Sequence, residues 1–458
     1  MLFERIESEV LAHYSYLIGD QHEAVVIDPR RDCDVYIERA SRSGFRISTI
    51  LETHRNEDYA IGSVELAARL NGDTHGVEIW HADGELDYEY GKPVKDGQTW
   101  QIGRLQIKAL HTPGHTPGHM SYLLYDPDGN PWMVFTGDAL FAGDVGRTDL
   151  LGEAQKAELT GMLYETLFHT LLPLGDEVIV CPAHGSGSVC GGSIAERIWT
   201  TIGLERKLNS KLQYDDKEAF VSNVGEMLER PPYFRKIEQF NLVGTPVLGT
   251  LPAPPPLKPM AFAQEMEDAV ILDTRMELPF TGAHVPGSLS IWQGGLASFV
   301  GWFVPYDKPI VLVTPEGGAP AAVRTLIRLG YDNLRGTLAG GMLSWHMAGL
   351  ESHSIHTVTT HELCRQLDAG TEAWILDVRS DEEIAQEGEI TDAHHIHITQ
   401  LPERLDEVVK DQPIYVFCGS GLRSTLAASF LKREGWTDLT VILGGTKGWE
   451  STTCPLEI

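Results

Sequence analysis

Short apolar runs alternate with amphipathic helical patterns along the first half of the chain. The runs at Ala24–Ile27, Met133–Phe135 and Glu177–Val180 are typical of buried strands, and the segment Ile61–Leu70 has the apolar spacing of a helix with one buried face. This mixture predicts a layered α/β domain with loops at the strand ends. Residues 205–240 continue with amphipathic helical patterns, and we expect them to pack on the same domain.

A proline-rich segment divides the chain. Residues 244–259 read GTPVLGTLPAPPPLKP and contain six prolines. Proline fixes φ and removes a backbone donor, so this composition is typical of a stiff, extended connector. We therefore predict that residues 1–243 form one domain with a helical extension, and that residues 244–259 link it to the rest.

The sequence after the connector repeats itself. The segments LDTR and LDVR place Asp273 and Asp377 104 positions apart, and GGMLSW and GGTKGW place Trp345 and Trp449 at the same offset. The repeat predicts two copies of one α/β domain, at residues 260–352 and 353–458.

The two copies differ in the loop after one apolar strand. In the second copy IYVF is followed by CGSGLR, whereas in the first copy IVLV is followed by TPEGGA. The offset therefore aligns Cys418 with Thr314 and Arg423 with Ala319. Because only the second copy has a thiol nucleophile, we expect the first copy to transfer no group.

Charge and cysteine content narrow the range of partners. The chain has 36 Lys and Arg against 65 Asp and Glu, a net charge of −29, which repels phosphate backbones and anionic lipid surfaces. Nucleic acid and membrane partners are not expected. The N-terminal residues lack the apolar core of a signal peptide. Six cysteines are too sparse for a disulfide scaffold, so reduced thiols and a cytoplasmic location are predicted.

The Cys418 segment has the pattern of a loop between a strand and a helix. Such a loop turns backbone N–H groups inward at a helix N-terminus, which stabilises an anion and lowers the pKa of a thiol. The loop, the LD-x-R strand and the GG-x-x-x-W segment resemble the rhodanese family of sulfurtransferases over residues 260–458. The resemblance implies that Cys418 carries sulfane sulfur as a persulfide, and that the first copy is an inactive rhodanese.

The same resemblance implies roles for the neighbours of Cys418. Arg423 is expected either to brace the loop or to bind an anionic substrate. Four residues separate Cys418 from Arg423, one fewer than in a Cys-x5-Arg phosphatase, and this spacing favours sulfur transfer over phosphate hydrolysis. The residues implied in the cradle are Gly419, Ser420, Gly421, Leu422 and Ser424.

Histidine and aspartate concentrate in four blocks of the first domain. The blocks are THRNEDY from Thr53, HTPGHTPGH from His111, TGD from Thr136 and CPAHG from Cys181. Such residues at strand-end loops are suited to converge on a metal. All four blocks in this order resemble the metallo-β-lactamase fold over about residues 1–205. The predicted fold class is therefore α/β, a metallo-β-lactamase αββα sandwich followed by two rhodanese-like α/β domains.

Departures from that family pattern point to a single metal. Two-metal members carry H-x-H-x-D-H, whereas this chain has Asn56 at the second histidine and Tyr59 at the last. The ligands that remain are two imidazoles and a carboxylate, from His54, His115 and Asp138. This is the ligand set of a mononuclear non-haem Fe(II) site, so one Fe(II) per chain is expected. The residues expected to orient ligands or water without binding the metal are Asp58, Tyr59 and His184.

These three ligands, with GDVGRTD at residues 143–149, resemble those of the persulfide dioxygenases. That resemblance implies oxidation of the outer sulfur of a low-molecular-weight thiol persulfide to sulfite with O2. Arg147 is expected either to bind the anionic part of the substrate or to form a structural ion pair. Cys190, in the Gly/Ser-rich run GSGSVCGG, is either a buried spectator or a residue that accepts or relays persulfide sulfur.

The favoured hypothesis is a persulfide dioxygenase coupled to a sulfurtransferase, in which sulfite accepts sulfur from the Cys418 persulfide to give thiosulfate. One alternative is a hydrolase resembling glyoxalase II with a rhodanese appendage. Another is a non-enzymatic persulfide carrier with a degenerate metal domain. The thiol that carries the substrate sulfur stays open, and the uncharged stretch Val285–Tyr306 offers an interface for a homo-oligomer.

Overall fold

The computed structural model describes residues 1–8, 10–71, 76–188, 190–214, 216–225, 227 and 229–450. The chain divides into two compact units, Met1–Leu251 with Ile327–Gly330, and Pro252–Leu326 with Tyr331–Ile458.

Two six-stranded sheets form the centre of the first unit. Their strand orders are β1-β2-β3-β4-β5-β6 and β12-β11-β10-β9-β8-β7. The strands are β1 (Leu2–Ser8), β2 (His13–Asp20), β3 (Glu23–Ile27), β4 (Arg46–Leu51), β5 (Glu78–His81), β6 (Lys92–Pro93), β7 (Thr99–Ile102), β8 (Leu105–His111), β9 (Met120–Tyr125), β10 (Pro131–Gly137), β11 (Ile179–Pro182) and β12 (Thr200–Thr201).

Along the chain, the α-helices of the first unit lie between these strands or after the last of them. They are α1 (Asp34–Arg42), α2 (Ser63–Leu70), α3 (Glu153–Glu165), α4 (Ile202–Leu208), α5 (Lys217–Val224) and α6 (Phe234–Val243). A π-helical turn at Thr166–Leu171 continues α3, and short 3-10 turns occupy Leu172–Leu174 and Ser210–Leu212. The structure therefore has helices α4–α6 in the region where amphipathic patterns predict them.

The period-two alternation of the strands explains the layering. In β3, Val25 and Ile27 belong to the apolar cluster between the two sheets, whereas Ala24 and Val26 belong to the cluster shared with α1 and α2. On the second sheet, the outward-facing Val134 packs with residues of α3. The first unit is therefore a four-layer αββα sandwich, and the ends of its strands position the site described below.

The second unit contains two five-stranded sheets of equivalent order, β13-β17-β16-β14-β15 and β18-β22-β21-β19-β20. Their strands are β13 (Pro256–Leu257), β14 (Val270–Asp273), β15 (Leu289–Ser290), β16 (Ile310–Val313), β17 (Leu334–Leu338), β18 (His356–Thr359), β19 (Trp374–Asp377), β20 (His394–His395), β21 (Ile414–Phe417) and β22 (Leu439–Leu443). All the pairings within these sheets are parallel.

Helices separate these strands. They are α7 (Pro259–Glu265), α8 (Glu277–Gly282), α9 (Leu296–Phe303), α10 (Ala319–Arg328), α11 (Gly341–Met347), α12 (Thr360–Asp368), α13 (Asp381–Glu387), α14 (Leu422–Arg433) and α15 (Gly445–Glu450), with 3-10 turns at Gln293–Gly295, Leu401–Glu403 and Leu405–Glu407. The first copy pairs Asp273 with Val313, and the second pairs Asp377 with Phe417 at the same offset of 104 residues. The repeat seen in the sequence is therefore a repeat of topology and register.

Part of the proline-rich segment is not a free connector. Pro256 and Leu257 form β13, which pairs with β17, and Pro259 begins α7. Proline is tolerated at a sheet edge and in the first turn of a helix because neither position requires its missing N–H. The predicted boundaries at residues 243, 259 and 352 stay a prediction.

Four cysteines, Cys33, Cys181, Cys190 and Cys418, are free and buried. Cys364 is disulfide-bonded, so the expectation of reduced thiols throughout is wrong at this residue. Cys454 lies outside the described residues. Within the described residues, no helix has the length and apolar character needed to cross a bilayer.

Candidate metal centre and cysteine loop

Three loops at strand ends bring His54, His115 and Asp138 together. His54 follows β4, His115 lies between β8 and β9, and Asp138 follows β10. The Oδ2 atom of Asp138 lies 3.7 Å from His54 Nε2 and 3.6 Å from His115 Nε2, and all three side chains are fully buried. The three side chains expected to bind metal thus form one cluster.

The three facing atoms of this cluster lack hydrogen-bond partners within the described structure. They are His54 Nε2, His115 Nε2 and Asp138 Oδ2, and each is buried. Buried polar atoms are normally hydrogen-bonded, because leaving one unpaired costs about 1–3 kcal/mol. Two imidazole nitrogens and a carboxylate oxygen directed at one point fit a divalent metal ion.

The opposite edges of the ligands are held by hydrogen bonds. His115 Nδ1 donates to the carbonyl oxygen of Arg147 at 2.9 Å, and His184 Nδ1 donates to Asp138 Oδ1 at 2.8 Å. His54 Nδ1 donates to Thr53 Oγ1 at 2.9 Å, and this hydroxyl donates to Asp28 Oδ2 at 2.8 Å. Each contact fixes a ring tautomer that leaves Nε2 available as a ligand.

Burial and neighbouring charges shift the pKa values around this cluster. Burial, followed by the nearby imidazoles of His115 and His119, lowers the pKa of His54 well below its usual value. Burial also lowers the pKa of His115, but the Glu57 carboxylate outweighs it and raises this pKa to about 9. Burial raises the pKa of Asp28 to about 7. A neutral His54 is the form that binds a metal.

The two residues that depart from the two-metal pattern do not join the cluster of facing atoms. Asn56 is buried and donates from Nδ2 to the His54 carbonyl at 3.3 Å. The Tyr59 ring lies 4.0 Å from the His13 ring, centroid to centroid, and burial raises its pKa well above the usual value. Neither side chain offers an imidazole for a second metal.

Asp58, His184 and Cys190 form a second buried cluster beside the first. The ligand atoms of these three side chains all lie within 4.8 Å of one another. Burial lowers the pKa of His184, but the carboxylates of Asp138 and Asp58 outweigh it and raise this pKa well above its usual value. The cluster therefore favours positive charge.

Cys190 lies deeper than its glycine-rich sequence suggests. Its thiol donates to Glu57 Oε1 at 3.7 Å, and its side chain packs with Phe141 and Ile194. Burial and the carboxylates of Asp58, Asp138 and Glu57 raise its pKa well above the usual value, although Arg147 opposes them. The free thiol is therefore protonated near neutral pH.

Arg147 forms an ion pair with its near neighbour. Its Nε and Nη2 atoms each lie 2.7 Å from a different carboxylate oxygen of Asp149, and both side chains are buried. Of the two roles considered from the sequence, the structure contains the ion pair. Arg147 also lines a cavity of about 170 Å³ with Gly191 and Lys211.

A separate cavity of about 390 Å³ reaches His115, and its lining is mostly apolar. This volume is within the range of small-molecule sites, which is about 300–1,000 Å³. Leu86, Pro117, Leu150 and Leu151 contribute apolar surface, and Arg55 contributes a cation. Arg55 Nη2 is paired with Glu238 Oε1 at 2.7 Å.

Some supporting residues are not evident from the sequence. Asn241 of α6 donates to the carbonyl oxygens of Asn56 at 2.7 Å and Tyr59 at 2.8 Å, and accepts from the Ile61 N–H at 2.9 Å. The helical extension therefore clamps the loop that carries Asp58. In the sequence, Asn241 is only an asparagine within an amphipathic helix. Its role is not evident there, because its hydrogen-bond partners lie about 180 residues earlier in the chain.

His119 and Gly137 support the Asp138 loop. His119 Nε2 accepts the backbone N–H of Asp138 at 3.1 Å. Gly137 has φ +51, and a Cβ there would lie 2.5 Å from His119 Nε2 and 2.7 Å from Thr53 Cβ. The glycine of the TGD block is therefore required both by its backbone conformation and by this close approach.

The Cys418 loop in the second unit has the geometry of an anion cradle. Cys418 follows β21 and is fully buried. The N–H groups of Gly421 and Ser424 point at its Sγ, at 3.0 and 3.4 Å. Two aligned N–H donors at the start of α14 stabilise a thiolate.

The other expected cradle residues complete this loop. Gly419 and Ser420 lie between Cys418 and Gly421 in the loop, and Leu422 begins α14. Arg423 makes a two-pronged ion pair with Glu383 of α13, with both N–O distances 2.5 Å. This ion pair agrees with the bracing role, one of the two roles considered, and the choice between them stays a prediction.

The equivalent loop of the first copy keeps a glycine with positive φ but lacks the thiol. Gly317 has φ +72 where Gly421 has φ +115, whereas Thr314 and Ala319 occupy the positions of Cys418 and Arg423. The first copy therefore has no thiol nucleophile at this position.

Comparisons with known proteins match the two parts separately. The metallo-beta-lactamase superfamily model matches residues 9–184, and the rhodanese-like domain model matches residues 259–348 and 359–452. These matches confirm the predicted order of one metallo-β-lactamase-like part and two rhodanese-like parts.

Two relatives of the first part have different activities in their names. The hydroxyacylglutathione hydrolase-like protein of Mus musculus is 31% identical over 233 residues, 49% of this chain and 77% of that protein. The mitochondrial persulfide dioxygenase ETHE1 of Bos taurus is 30% identical over 212 residues, 45% of this chain and 73% of that protein. Overall similarity therefore does not separate these two activities.

A solved structure extends the similarity beyond the first unit. The metallo-beta-lactamase from Staphylococcus aureus subsp. aureus COL superposes with a TM-score of 0.65 at 27% identity. The match covers 74% of this chain and 99% of that one.

Proposed function

Because the chain belongs to the metallo-beta-lactamase superfamily and carries two rhodanese-like domains, we propose that it is a non-haem Fe(II) persulfide dioxygenase coupled to a sulfurtransferase. The first reaction is RSSH + O2 + H2O giving RSH, sulfite and two protons. In the second, sulfite takes the outer sulfur of the Cys418 persulfide to form thiosulfate, and Cys418 leaves as a thiolate.

The cluster of His54, His115 and Asp138 carries this proposal. Its three unpaired atoms supply two nitrogens and one oxygen, the set typical of Fe(II) oxygenases that keep positions open for O2 and substrate. When bound, the iron supplies the activation of O2 that protein side chains do not provide. Thr53 and the Arg147 carbonyl accept hydrogen bonds from the two ligand rings, and His184 donates one to the Asp138 carboxylate, so all three ligands are held in place.

The cavity beside His115 is proposed to hold the thiol part of the substrate. Its lining is mostly apolar, and Arg55, which also lines it, is paired with Glu238. Asp58, Tyr59 and His184 orient the side chains around the metal ligands. Arg147 shapes the site through its carbonyl oxygen and its ion pair.

Cys190 is proposed to accept substrate sulfur. Glu57 lies between it and the metal ligands, with Oε1 3.2 Å from His115 Nε2 and 3.7 Å from Cys190 Sγ. That position suits Glu57 to take the thiol proton when Cys190 attacks the outer sulfur of RSSH. The S–S bond of the substrate then breaks, and RS⁻ leaves and takes up the proton to give RSH. Mass spectrometry of protein stopped during turnover should find an added sulfur on Cys190, and its absence would leave this residue a spectator.

The Cys418 loop is proposed to perform the sulfur transfer. The N–H groups of Gly421 and Ser424 stabilise the thiolate that attacks the donor sulfur, and they stabilise it again as the leaving group. Glu383 fixes Arg423, so the loop keeps its shape through both steps.

A thioester hydrolase is the second candidate, and the hydroxyacylglutathione hydrolase-like relative favours it. Such hydrolysis on this fold uses two metals to hold the water nucleophile. Asn56 and Tyr59 stand where two further imidazoles are needed, which favours the dioxygenase.

Oxygen uptake with glutathione persulfide or coenzyme A persulfide tests the proposal. The full-length, iron-loaded protein should consume one O2 for each sulfite-equivalent formed and should leave a glutathione thioester intact. Thioester cleavage without O2 uptake would establish the hydrolase, and neither activity would leave only a carrier.

Metal content gives an independent test. Protein prepared anaerobically with iron should contain close to one Fe per chain, and His115→Ala should abolish it because one of only three ligands is lost. Metal analysis that finds undiminished iron in His115→Ala would contradict the ligand assignment.

A further inference from the structure

A cavity of about 610 Å³ lies between the two rhodanese-like copies, within the second unit, and most of the residues that line it are polar. Residues 284–288, which follow α8, and residues 352–354, where the copies join, form part of its wall. The end of α14 and the chain after it, residues 429–437, form the rest. This volume is within the range of small-molecule sites, which is about 300–1,000 Å³.

This cavity is remote from the sulfur-transfer loop. The cradle of Cys418 lies at the start of α14, whereas Lys432 and Arg433 are the last two residues of that helix. Twelve residues of α-helix extend about 18 Å, since each adds about 1.5 Å. A ligand in the cavity therefore does not occupy the position of the sulfur donor at Cys418.

Lys432 and Arg433 give the cavity a positive charge, and none of the described residues that line it is acidic. Lys432 Nζ donates to the Ser354 carbonyl oxygen at 2.9 Å, which leaves two of the three ammonium donors for a ligand. Burial of part of each side chain lowers its pKa, and at Arg433 the neighbouring Glu434 carboxylate opposes this effect. Within the described residues neither cation forms an ion pair, although the chain has a net charge of −29.

His284 adds a hydrogen-bond acceptor to the same cavity. Its Nδ1 donates to the Phe280 carbonyl oxygen at 3.0 Å, so Nε2 is the ring atom left to accept a hydrogen bond from a ligand. Burial lowers the pKa of His284 to about 4, and the Lys432 ammonium contributes to this shift. The ring is therefore neutral near pH 7, and Nε2 keeps its lone pair.

We propose that this cavity binds a small molecule that carries a phosphate monoester beside sugar hydroxyls. The phosphate oxygens accept hydrogen bonds from Lys432 Nζ and from the Arg433 guanidinium, which are charge-assisted and therefore strong. A sugar hydroxyl donates to His284 Nε2. Inorganic phosphate alone fills only part of a cavity of this volume.

Calorimetric titration of the full-length, iron-loaded protein with ribose 5-phosphate and with inorganic phosphate tests the proposal. Ribose 5-phosphate should bind at one equivalent per chain, about 3- to 10-fold more tightly than phosphate, because of the added hydrogen bond to His284. Since the ligand binds only the folded state, saturating ribose 5-phosphate should also raise the unfolding temperature.

Matched variants test each contact. Arg433→Gln and Lys432→Gln should each weaken the binding of both probes at least about 10-fold, whereas Lys432→Arg keeps the charge and should retain binding. Arg365→Gln removes an exposed cation of α12 outside the cavity and should have no effect. His284→Asn keeps a donor in place of Nδ1 but lacks Nε2, so it should abolish the preference for ribose 5-phosphate.

Thiosulfate:cyanide sulfur transfer shows whether the ligand instead occupies the Cys418 cradle, because an anion there competes with thiosulfate. Ribose 5-phosphate should leave the KM for thiosulfate unchanged. A competitive rise in this KM, undiminished binding in Arg433→Gln and Lys432→Gln, or no binding to the wild-type protein would overturn the proposal. Equal affinity for the two probes would overturn the sugar contact. None of these measurements depends on O2 uptake, so failure of the dioxygenase proposal does not affect them.

Discussion

At the scale of single residues, His54 shows how a short chain of hydrogen bonds prepares a metal ligand. Thr53 Oγ1 accepts from His54 Nδ1 and donates to Asp28 Oδ2, so one hydroxyl joins a ring to a buried carboxylate. Asp28 Oδ1 in turn accepts the backbone N–H of Thr53 at 2.8 Å. The His54 ring is therefore fixed with Nε2 towards the proposed metal. The arrangement costs free energy because the Asp28 carboxylate is buried.

Thr53→Val tests this arrangement because valine has the same shape without the hydroxyl. His54 Nδ1 and Asp28 Oδ2 then lose their partner, and iron affinity should fall about 10- to 100-fold. Competition with a chelator measures the affinity. Thr325→Val is the matched control, since its buried hydroxyl donates to the Ala321 carbonyl oxygen on α10 at 3.2 Å and lies in the other unit. Equal loss of iron affinity in both variants would contradict the role given to Thr53.

Residue spacing predicts part of this site and omits the rest. His54, His115 and Asp138 stand out because each lies in a recognisable block, and the structure brings them together. Glu57 lies within a block too, but only the fold shows that it contacts both His115 and Cys190. Asn241 has no local signal, because its hydrogen bonds depend on α6 packing against a loop far earlier in the chain.

At the scale of elements, the GG-x-x-x-W segment supports the Cys418 loop. A Cβ on Gly445, at the start of α15, would lie 1.9 Å from the Gly419 carbonyl oxygen and 2.7 Å from the Ser420 nitrogen. The absence of a side chain therefore lets α15 approach the cradle. Gly341 is the equivalent of Gly445 in the first copy, with a similar φ, +56 against +55. Among the described residues, however, no atom outside its own helix backbone and chain neighbours lies within 4 Å of its Cβ position.

This difference between the copies gives a controlled experiment. Both Gly445→Ala and Gly341→Ala place a side chain in left-handed backbone, which costs about 1–2 kcal/mol. Only Gly445→Ala pushes on the Cys418 loop, and a shift of about 1 Å should reduce thiosulfate:cyanide sulfur transfer about 100-fold. Steady-state assays of the two full-length variants measure this. Similar activities would show that α15 does not position the loop.

The hydrophobic pattern predicts which segments form strands more readily than it predicts which strands pair with one another. Apolar runs predict β3, β10 and β11, and the internal repeat predicts equivalent sheets. The pairing of β13 with β17 is hidden, because a two-residue edge strand in a proline-rich segment has no periodicity. Prolines identify where the chain stiffens, but tertiary pairing decides where the connector ends.

At the scale of the whole molecule, the two proposed sites form a reaction sequence on one chain. Sulfite is a nucleophile, and a cysteine persulfide has an electrophilic outer sulfur, so the product of the first reaction is suited to be the acceptor in the second. The structure gives each site its own supports, since the metal cluster depends on strand-end loops of one sandwich and Cys418 depends on the start of α14. Loss of one site should therefore leave the chemistry of the other intact.

A pair of variants distinguishes the contributions of the two proposed reactions. An alcohol is far less acidic and less nucleophilic than a cradled thiolate, so Cys418→Ser should stop sulfur transfer while O2 uptake continues. Its product should then shift from thiosulfate to free sulfite. His54→Ala should lose iron and O2 uptake but still move sulfur from thiosulfate to cyanide. Chromatographic separation of sulfite and thiosulfate decides the matter. Undiminished thiosulfate from Cys418→Ser, after correction for spontaneous reaction of sulfite with persulfide, would show that another residue transfers the sulfur.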